Sequence, residues 1–167
     1  MIAPAHTQAM ARYNAWQNQS IYSAANTLSD AERGQDRGAF WQSIDLTLRH
    51  ILWADQMWMS RFSNADAPKA LNQPLSSHDV ATWDGLTRAR VEFDETIEIW
   101  TAGLTDTWLQ GDLTWRSGIT GEDATKPRWY VVTHLFNHHT HHRGQVHCML
   151  TQAGAEPEDT DLPFMPD

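Results

Sequence analysis

Apolar residues recur every three or four positions along four long stretches of the chain, which is the period of an α-helix with one buried face. The predicted helices cover residues 6–28, residues 37 or 40 to 62, residues 77–79 to about 101, and residues 127 to about 153. Gly103 and Gly154 follow the third and fourth helices, and Pro127 suits an early position in the fourth. Four helices of this length predict an all-α fold, a four-helix bundle whose facing helices can build a site inside the core.

The connections between the predicted helices have a different pattern. Residues 64–77 read as a loop that contains two prolines. Residues 104–126 form a long connection between the third and fourth helices, and their alternating, glycine-punctuated pattern predicts a loop or a short β-hairpin. Residues 155–167 are rich in proline and acidic side chains and predict an extended tail. We expect residues 1–167 to form a single domain, because a chain of this length can bury a full core.

The charge and the cysteine content of the chain limit the kinds of partner and the cellular compartment that we expect. The 12 basic and 21 acidic residues give a net charge of −9 with neutral histidines. We therefore expect neither nucleic acid nor a membrane as a partner, and the sequence shows no apolar run of transmembrane length and no signal-peptide pattern. Its one cysteine, Cys148, excludes an internal disulfide and predicts a cytoplasmic protein.

Residues 134–147 contain six of the nine histidines. Imidazole is the commonest protein ligand for transition metals, and residues four apart on a helix lie on the same face. His138 and His142 form such a pair at the edge of the apolar face, while His139 falls inside that face and competes with them. The alternative is a histidine-rich helix that binds no metal. We favour a metal site at His138 and His142 because the cluster is interleaved with apolar residues.

A tight site needs a third ligand from another part of the chain, and His50 is the best candidate. It lies in the middle of a long apolar segment, where a buried imidazole without a partner would cost on the order of 1–3 kcal/mol. Taken alone, His50 fits equally well as a core histidine bonded to a protein acceptor. Trp53 and Met57 share its helix face and are expected to wall the cavity. Gln145 lies within about 20° of His138 around the helix, where it could line the pocket or bond an outer-shell water. A buried glutamine that bonds backbone groups is the equally good alternative.

Three motifs and the end of the chain resemble the DinB-like (damage-inducible) family. The segments that carry the resemblance are Tyr13-Asn14-Ala15-Trp16-Gln17-Asn18, His50-Ile51-Leu52-Trp53-Ala54-Asp55, Asn137-His138-His139-Thr140-His141-His142-Arg143-Gly144-Gln145 and Asp161-Leu162-Pro163. They occur in the family's order and span essentially the whole chain. The resemblance implies an up-down-down-up four-helix bundle, commonly a homodimer, with a divalent metal held by three histidines.

Carried over position by position, the resemblance implies that His50, His138 and His142 are the ligands, and it makes His139 the variable position. The wider superfamily is similar to mycothiol-dependent maleylpyruvate isomerase, in which a carboxylate takes the place of the first helical histidine. His138 departs from that pattern. We expect Zn or Ni as the metal, with Fe, Mn and Co as alternatives that three imidazoles also accommodate.

A three-histidine site leaves coordination positions open, which is typical of catalytic rather than structural zinc. We therefore predict a metal-dependent enzyme that activates a low-molecular-weight thiol for transfer to an electrophilic small molecule. A metal-dependent hydrolase is the competing prediction. A non-catalytic, dimeric metal-binding protein of the stress response is the alternative from another functional class. The sequence names no catalytic residue beyond the metal ligands.

Overall fold

Four long helices form the body of the protein, and a short β-hairpin joins the last two of them. The computed structural model describes residues 1–63, 65–68, 80–118 and 120–166. The helices are α1 (Pro4–Asn26), α2 (Asp30–Gly34), α3 (Ile44–Phe62), α4 (Trp83–Ala102), α5 (Asp106–Gln110) and α6 (Arg128–Gln152). The strands are β1 (Asp112–Arg116) and β2 (Asp123–Pro127), and a 3-10 turn covers Leu162–Phe164. The predicted all-α bundle is confirmed.

Side-chain contacts between the long helices fix their directions. Gln8 of α1 bonds the backbone of Thr101 and Asn18 bonds Asp94, so α1 and α4 are antiparallel. Asp55 of α3 pairs with Arg90, and Phe62 stacks on Trp100, so α3 and α4 are parallel.

The direction of α6 follows from its contacts with α3. His50 meets His138 and Trp58 meets His134, so the two helices run in opposite directions. Because α1 and α3 each pack against both α4 and α6, the bundle has the up-down-down-up arrangement that the family resemblance implies.

Hydroxyl side chains determine where two of the long helices begin. Ser43 accepts a hydrogen bond from the backbone N–H of Leu46 and caps α3, while Thr82 does the same for Gly85 at the start of α4. Each cap satisfies a backbone donor that has no partner within its helix. The cap at Ser43 starts α3 at Ile44, which places His50 in the second turn of that helix.

The hairpin lies within the predicted 104–126 connection and confirms the β-hairpin expected there. Its two strands are antiparallel, with Asp112 opposite Pro127 and Arg116 opposite Asp123. Trp115 of β1 packs edge-on against Trp58 of α3, with ring centroids 5.5 Å apart. This contact places the hairpin over one end of the α3–α6 pair.

Several predicted boundaries were wrong. The second long helix begins at Ile44 and not at Arg37 or Phe40, and Phe40 is 77% exposed where the pattern predicts a covered side chain. Pro127 ends β2 and precedes α6, so it is not a helical position. Residues 77–79, the predicted start of the third helix, lie outside the described residues, and α4 itself begins only at Trp83.

The core consists of two apolar clusters with a polar layer between them. One cluster is centred on Ile21, Leu48, Ile51, Val146 and Leu150, and the other on Phe62, Ile97, Leu109, Val132 and Leu135. The buried polar side chains that separate them come from all four long helices and are Asn14, Asn18, Asp55, Arg90, Asp94, His139 and Arg143. Within the described parts of the chain, no helix is long and apolar enough to cross a membrane.

Candidate metal centre

Three histidines from two helices meet beside the polar layer. His50 comes from the second turn of α3, and His138 and His142 lie one turn apart on the facing side of α6. The Nε2 atoms of His50 and His138 are 3.1 Å apart, and one ring nitrogen of each of the three histidines lies within 4.8 Å of the others. Among the described residues, this is the one cluster of His, Cys, Asp and Glu side chains with spacing suited to a metal ion.

Gln145 determines which nitrogen of His142 faces the cluster. The side-chain oxygen Oε1 of Gln145 lies 2.8 Å from Nδ1 of His142, one turn earlier on α6. Since an amide oxygen only accepts, Nδ1 of His142 carries the proton and Nε2 keeps its lone pair. Metal-binding histidines are commonly oriented in this way by an acceptor on the other ring nitrogen.

Two tryptophan rings lie beside His50, one from α3 and one from the turn that precedes it. The ring of Trp41 stacks on His50 with ring centroids 4.3 Å apart, and the ring centroid of Trp53 lies 6.0 Å from that of His50. Each tryptophan ring is tilted by 29° from the plane of the His50 ring. Trp53 thus lies beside His50, and its role as a wall of the cavity stays a prediction. Met57 packs against the apolar cluster around Phe62. Helical periodicity carries no signal for Trp41, because this residue precedes α3.

Burial and mutual repulsion keep His138 and His142 neutral. Desolvation by burial, together with the neighbouring His142 and His50 rings, lowers the pKa of His138 to about 3. Burial also lowers the pKa of His142, against a smaller opposing effect of the Gln145 hydrogen bond. Both rings are therefore uncharged at neutral pH, which is the form that can bind a metal.

The three side chains fit a divalent transition metal. At a zinc–nitrogen distance of about 2.0–2.1 Å, two imidazole nitrogens of a tetrahedral site lie roughly 3.3 Å apart. The 3.1 Å between Nε2 of His50 and Nε2 of His138 is close to that separation. The donor set is nitrogen only, which suits Zn, Ni, Co or Fe rather than Mg or Ca.

His139 belongs to a different network, although it lies between two of the clustered histidines in the sequence. Its side chain is fully buried, with Nε2 bonded to Oδ1 of Asp55 and Nδ1 against the side-chain oxygen of Asn14. Both ring nitrogens are thus engaged away from the cluster. The structure brings together His50, His138 and His142 and keeps His139 apart.

The polar layer links α3 to α4 and α1. Asp55 accepts a hydrogen bond from Arg90 at 2.6 Å, Arg90 pairs with Asp94 at 2.9 Å, and Asn18 donates to Asp94 at 2.9 Å. The sequence analysis missed this buried pair on α4. A signal was present, because Arg90 and Asp94 continue the row of the buried Leu86 and Ile97 at helical spacing.

Comparison with known proteins agrees with the fold and the motifs. The sequence profile of the DinB family matches residues 1–167. The chain belongs to the DinB family. Protein DinB of Bacillus subtilis (strain 168) is 25% identical to it over 166 residues, and that match covers 89% of this chain and 87% of the Bacillus protein. In this DinB-family chain, the three clustered histidines are those to which the motif resemblance points.

Proposed function

We propose that this DinB-family protein binds a divalent metal, Zn or Ni first, through Nε2 of His50, His138 and His142. The observation that carries the proposal is the convergence of three imidazoles from two helices, one of them oriented by Gln145. A surface histidine cluster without a metal role would have no need for a buried partner from a second helix. His50 and His142 are buried, and His138 is half-buried.

We further propose that the protein is an enzyme that transfers a low-molecular-weight thiol to an electrophilic small molecule. When bound, a metal with three neutral ligands keeps coordination positions open and lowers the pKa of a thiol or water held there. The protein's own residues supply the rest. Gln145 holds His142 in one tautomer, and Trp41 and Trp53 present an apolar wall beside His50.

Two further functions use the same three histidines. A metal-dependent hydrolase would use the open position for water instead of a thiol. A dimeric metal-binding protein without turnover would use the site to hold its fold or to sense the metal. The apolar side chains of Val91 and Ile99 on α4 are 58% and 76% exposed, and we expect them to contribute to a homodimer contact.

Metal content tests the site directly. Tag-free protein purified without nickel resin is expected to contain near-stoichiometric metal by mass spectrometry, and His50→Ala, His138→Ala and His142→Ala are each expected to lose it. His147→Ala is the matched control, because His147 lies on the other side of α6 and should retain the metal. Metal retained by all three alanine variants would contradict the proposal.

Activity assays separate the three functions. Metal-loaded protein is mixed with an electrophilic aryl halide, with and without a panel of low-molecular-weight thiols, and separately with an activated ester. We expect thiol-dependent consumption of the aryl halide that disappears in His50→Ala. Ester cleavage without any thiol would favour the hydrolase. No turnover with fully loaded protein would favour the non-catalytic function.

A further inference from the structure

Arg143 is a buried cation that forms no direct ion pair with any described acidic residue. Three arginines of the described chain are buried, namely Arg33, Arg90 and Arg143. Arg33 pairs with Asp30, and Arg90 pairs with both Asp55 and Asp94. Arg143 is only 5% exposed, yet it takes part in none of the ion pairs found among the described residues. Its charge is therefore the exception in this core.

The contacts of Arg143 leave much of its hydrogen-bonding capacity unused. Its Nη1 donates to the side-chain oxygen of Asn14, and its guanidinium lies 5.5 Å from the ring centre of Tyr13. Nε and Nη2 of Arg143 form no hydrogen bond to any described residue. Neither atom is fully buried, since neither is among the fully buried polar atoms that lack a partner. Burial lowers the pKa of Arg143 to about 10, so the side chain remains charged at neutral pH. Burying a charge is costly unless it is paired.

A small pocket adjoins this guanidinium. Its volume is about 260 Å³, and it lies between α1, α6 and the C-terminal tail. Its walls include Tyr13, Thr140, Arg143, Gly144, His147 and Thr160. Tyr13 closes one side, because its hydroxyl donates to the carbonyl of Thr160 at 2.7 Å. Arg143 directly follows His142, so the two side chains point about 100° apart around α6, and the pocket is separate from the metal centre.

We propose that this pocket binds a small oxyanion, a carboxylate or a phosphate, through the guanidinium of Arg143. The planar guanidinium matches both groups, because its parallel N–H bonds can pair with two oxygens. The pocket is smaller than the roughly 300–1,000 Å³ typical of drug-sized ligands, which suits a small anion. The tail acids Asp159 and Asp161 flank Thr160 in the sequence, and the carboxylate of Asp159 already accepts a hydrogen bond from the backbone N–H of Asp161.

Two variants remove the site by independent means. Arg143→Gln removes the charge. Gly144→Leu fills the pocket, since a Cβ at Gly144 would meet no atom within 4 Å and the residue lies inside a helix, where glycine is a poor helix former. Gly144→Leu therefore keeps the test informative even if Arg143→Gln fails to fold. Arg88→Gln is the charge-matched control, because Arg88 is exposed on α4.

Binding is measured by titration calorimetry on the metal-loaded full chain. Sodium phosphate and sodium acetate are each titrated into the protein at constant ionic strength, and sodium chloride is the control titrant. We expect saturable binding of one phosphate or acetate per chain, with unchanged affinity in Arg88→Gln and an affinity at least about tenfold weaker in Arg143→Gln and Gly144→Leu. Binding of one anion and not the other identifies which oxyanion the pocket takes.

An anion could also bind to the metal itself, and His50→Ala distinguishes that case. If the anion occupies the Arg143 pocket, metal-free His50→Ala binds it as wild type does. The proposal is overturned if binding disappears in His50→Ala but persists in Gly144→Leu. It is equally overturned if neither anion binds, which would mean that the tail acids neutralise Arg143 within the chain.

Discussion

The side-chain oxygen of Gln145 determines which ring nitrogen of His142 faces the other two histidines. The Oε1 atom of Gln145 occupies Nδ1 of His142, so the remaining nitrogen faces His50 and His138. The helical phase of Gln145 predicted a side chain that lines the pocket or bonds an outer-shell water, with a buried glutamine bonded to the backbone as the alternative. In the structure, the side-chain oxygen of Gln145 contacts Nδ1 of His142. Phase alone could not show this, because it gives the direction of a side chain and not the atom that it contacts.

Gln145→Leu should weaken metal binding without breaking the fold. Leucine keeps the volume but removes the acceptor from Nδ1 of His142, and the loss of such a contact typically costs 10–100-fold in metal affinity. Competition with a chromophoric chelator measures the change. Gln145→Glu, which retains an acceptor, is expected to bind at least as tightly as wild type. Equal affinities for all three proteins would show that Gln145 does not orient the ring.

Asp55→Asn should destabilise the protein far more than loss of an exposed carboxylate. Asp55 is fully buried and accepts from both Arg90 and His139, so its neutralisation leaves a buried guanidinium poorly paired. The expected loss is about 3–5 kcal/mol in the free energy of unfolding, measured by urea denaturation of metal-free protein. Asp123→Asn breaks the exposed pair with Arg116 and should cost less than about 1 kcal/mol. Similar losses in both variants would contradict this role.

At the scale of whole elements, periodicity predicted the long helices and missed the short ones. The four long helices and the hairpin follow from repeats that extend over several turns or alternate along a strand. Helices α2 and α5 contain five residues each, too few to show a helical repeat. The turn before α3 was also missed, because its shape depends on left-handed backbone at Gly38 and Gln42. That turn brings Trp41 onto His50, so part of the site was not predictable from helical spacing.

Gln42→Gly should stabilise this turn. Gln42 has φ of 65°, a left-handed conformation that costs a non-glycine residue roughly 1–2 kcal/mol, part of which glycine returns as chain entropy. We expect a gain of about 0.5–1 kcal/mol in unfolding free energy by urea denaturation. The turn's backbone hydrogen bonds, from Gln42 to Ala39 and from Arg37 to Gln42, do not involve the side chain. Gln35→Gly, at a residue with φ of −63°, should destabilise instead.

At the scale of the molecule, the three-histidine cluster joins two helices that are far apart in the sequence. His50 and His138 are separated by 88 residues, so a bound metal crosslinks α3 to α6 across most of the chain. The sequence could predict the residue types and their pairing on α6. It could not predict the distance between α3 and α6, which depends on the packing of all four long helices.

Metal removal should lower the thermal stability of the whole domain. A ligand that binds only the folded state stabilises it by about 4 kcal/mol at a free concentration a thousandfold above its Kd. Scanning calorimetry with and without a chelator is expected to show a clearly lower Tm for the metal-free wild type. His142→Ala should show the same Tm in both conditions. A wild-type Tm that does not respond to the chelator would contradict a metal-bound native state.

The polar layer between the two apolar clusters also selects among alternative packings of the same chain. If one helix slid by a turn, about 5.4 Å, apolar side chains would still cover one another in both clusters. The charges of Asp55 and Arg90 would then face hydrocarbon, and such an arrangement carries a large penalty. Competing bundles are thereby separated in energy from the native one. The three histidines consequently meet only when the helices are correctly aligned. Metal binding therefore cannot stabilise a misaligned bundle.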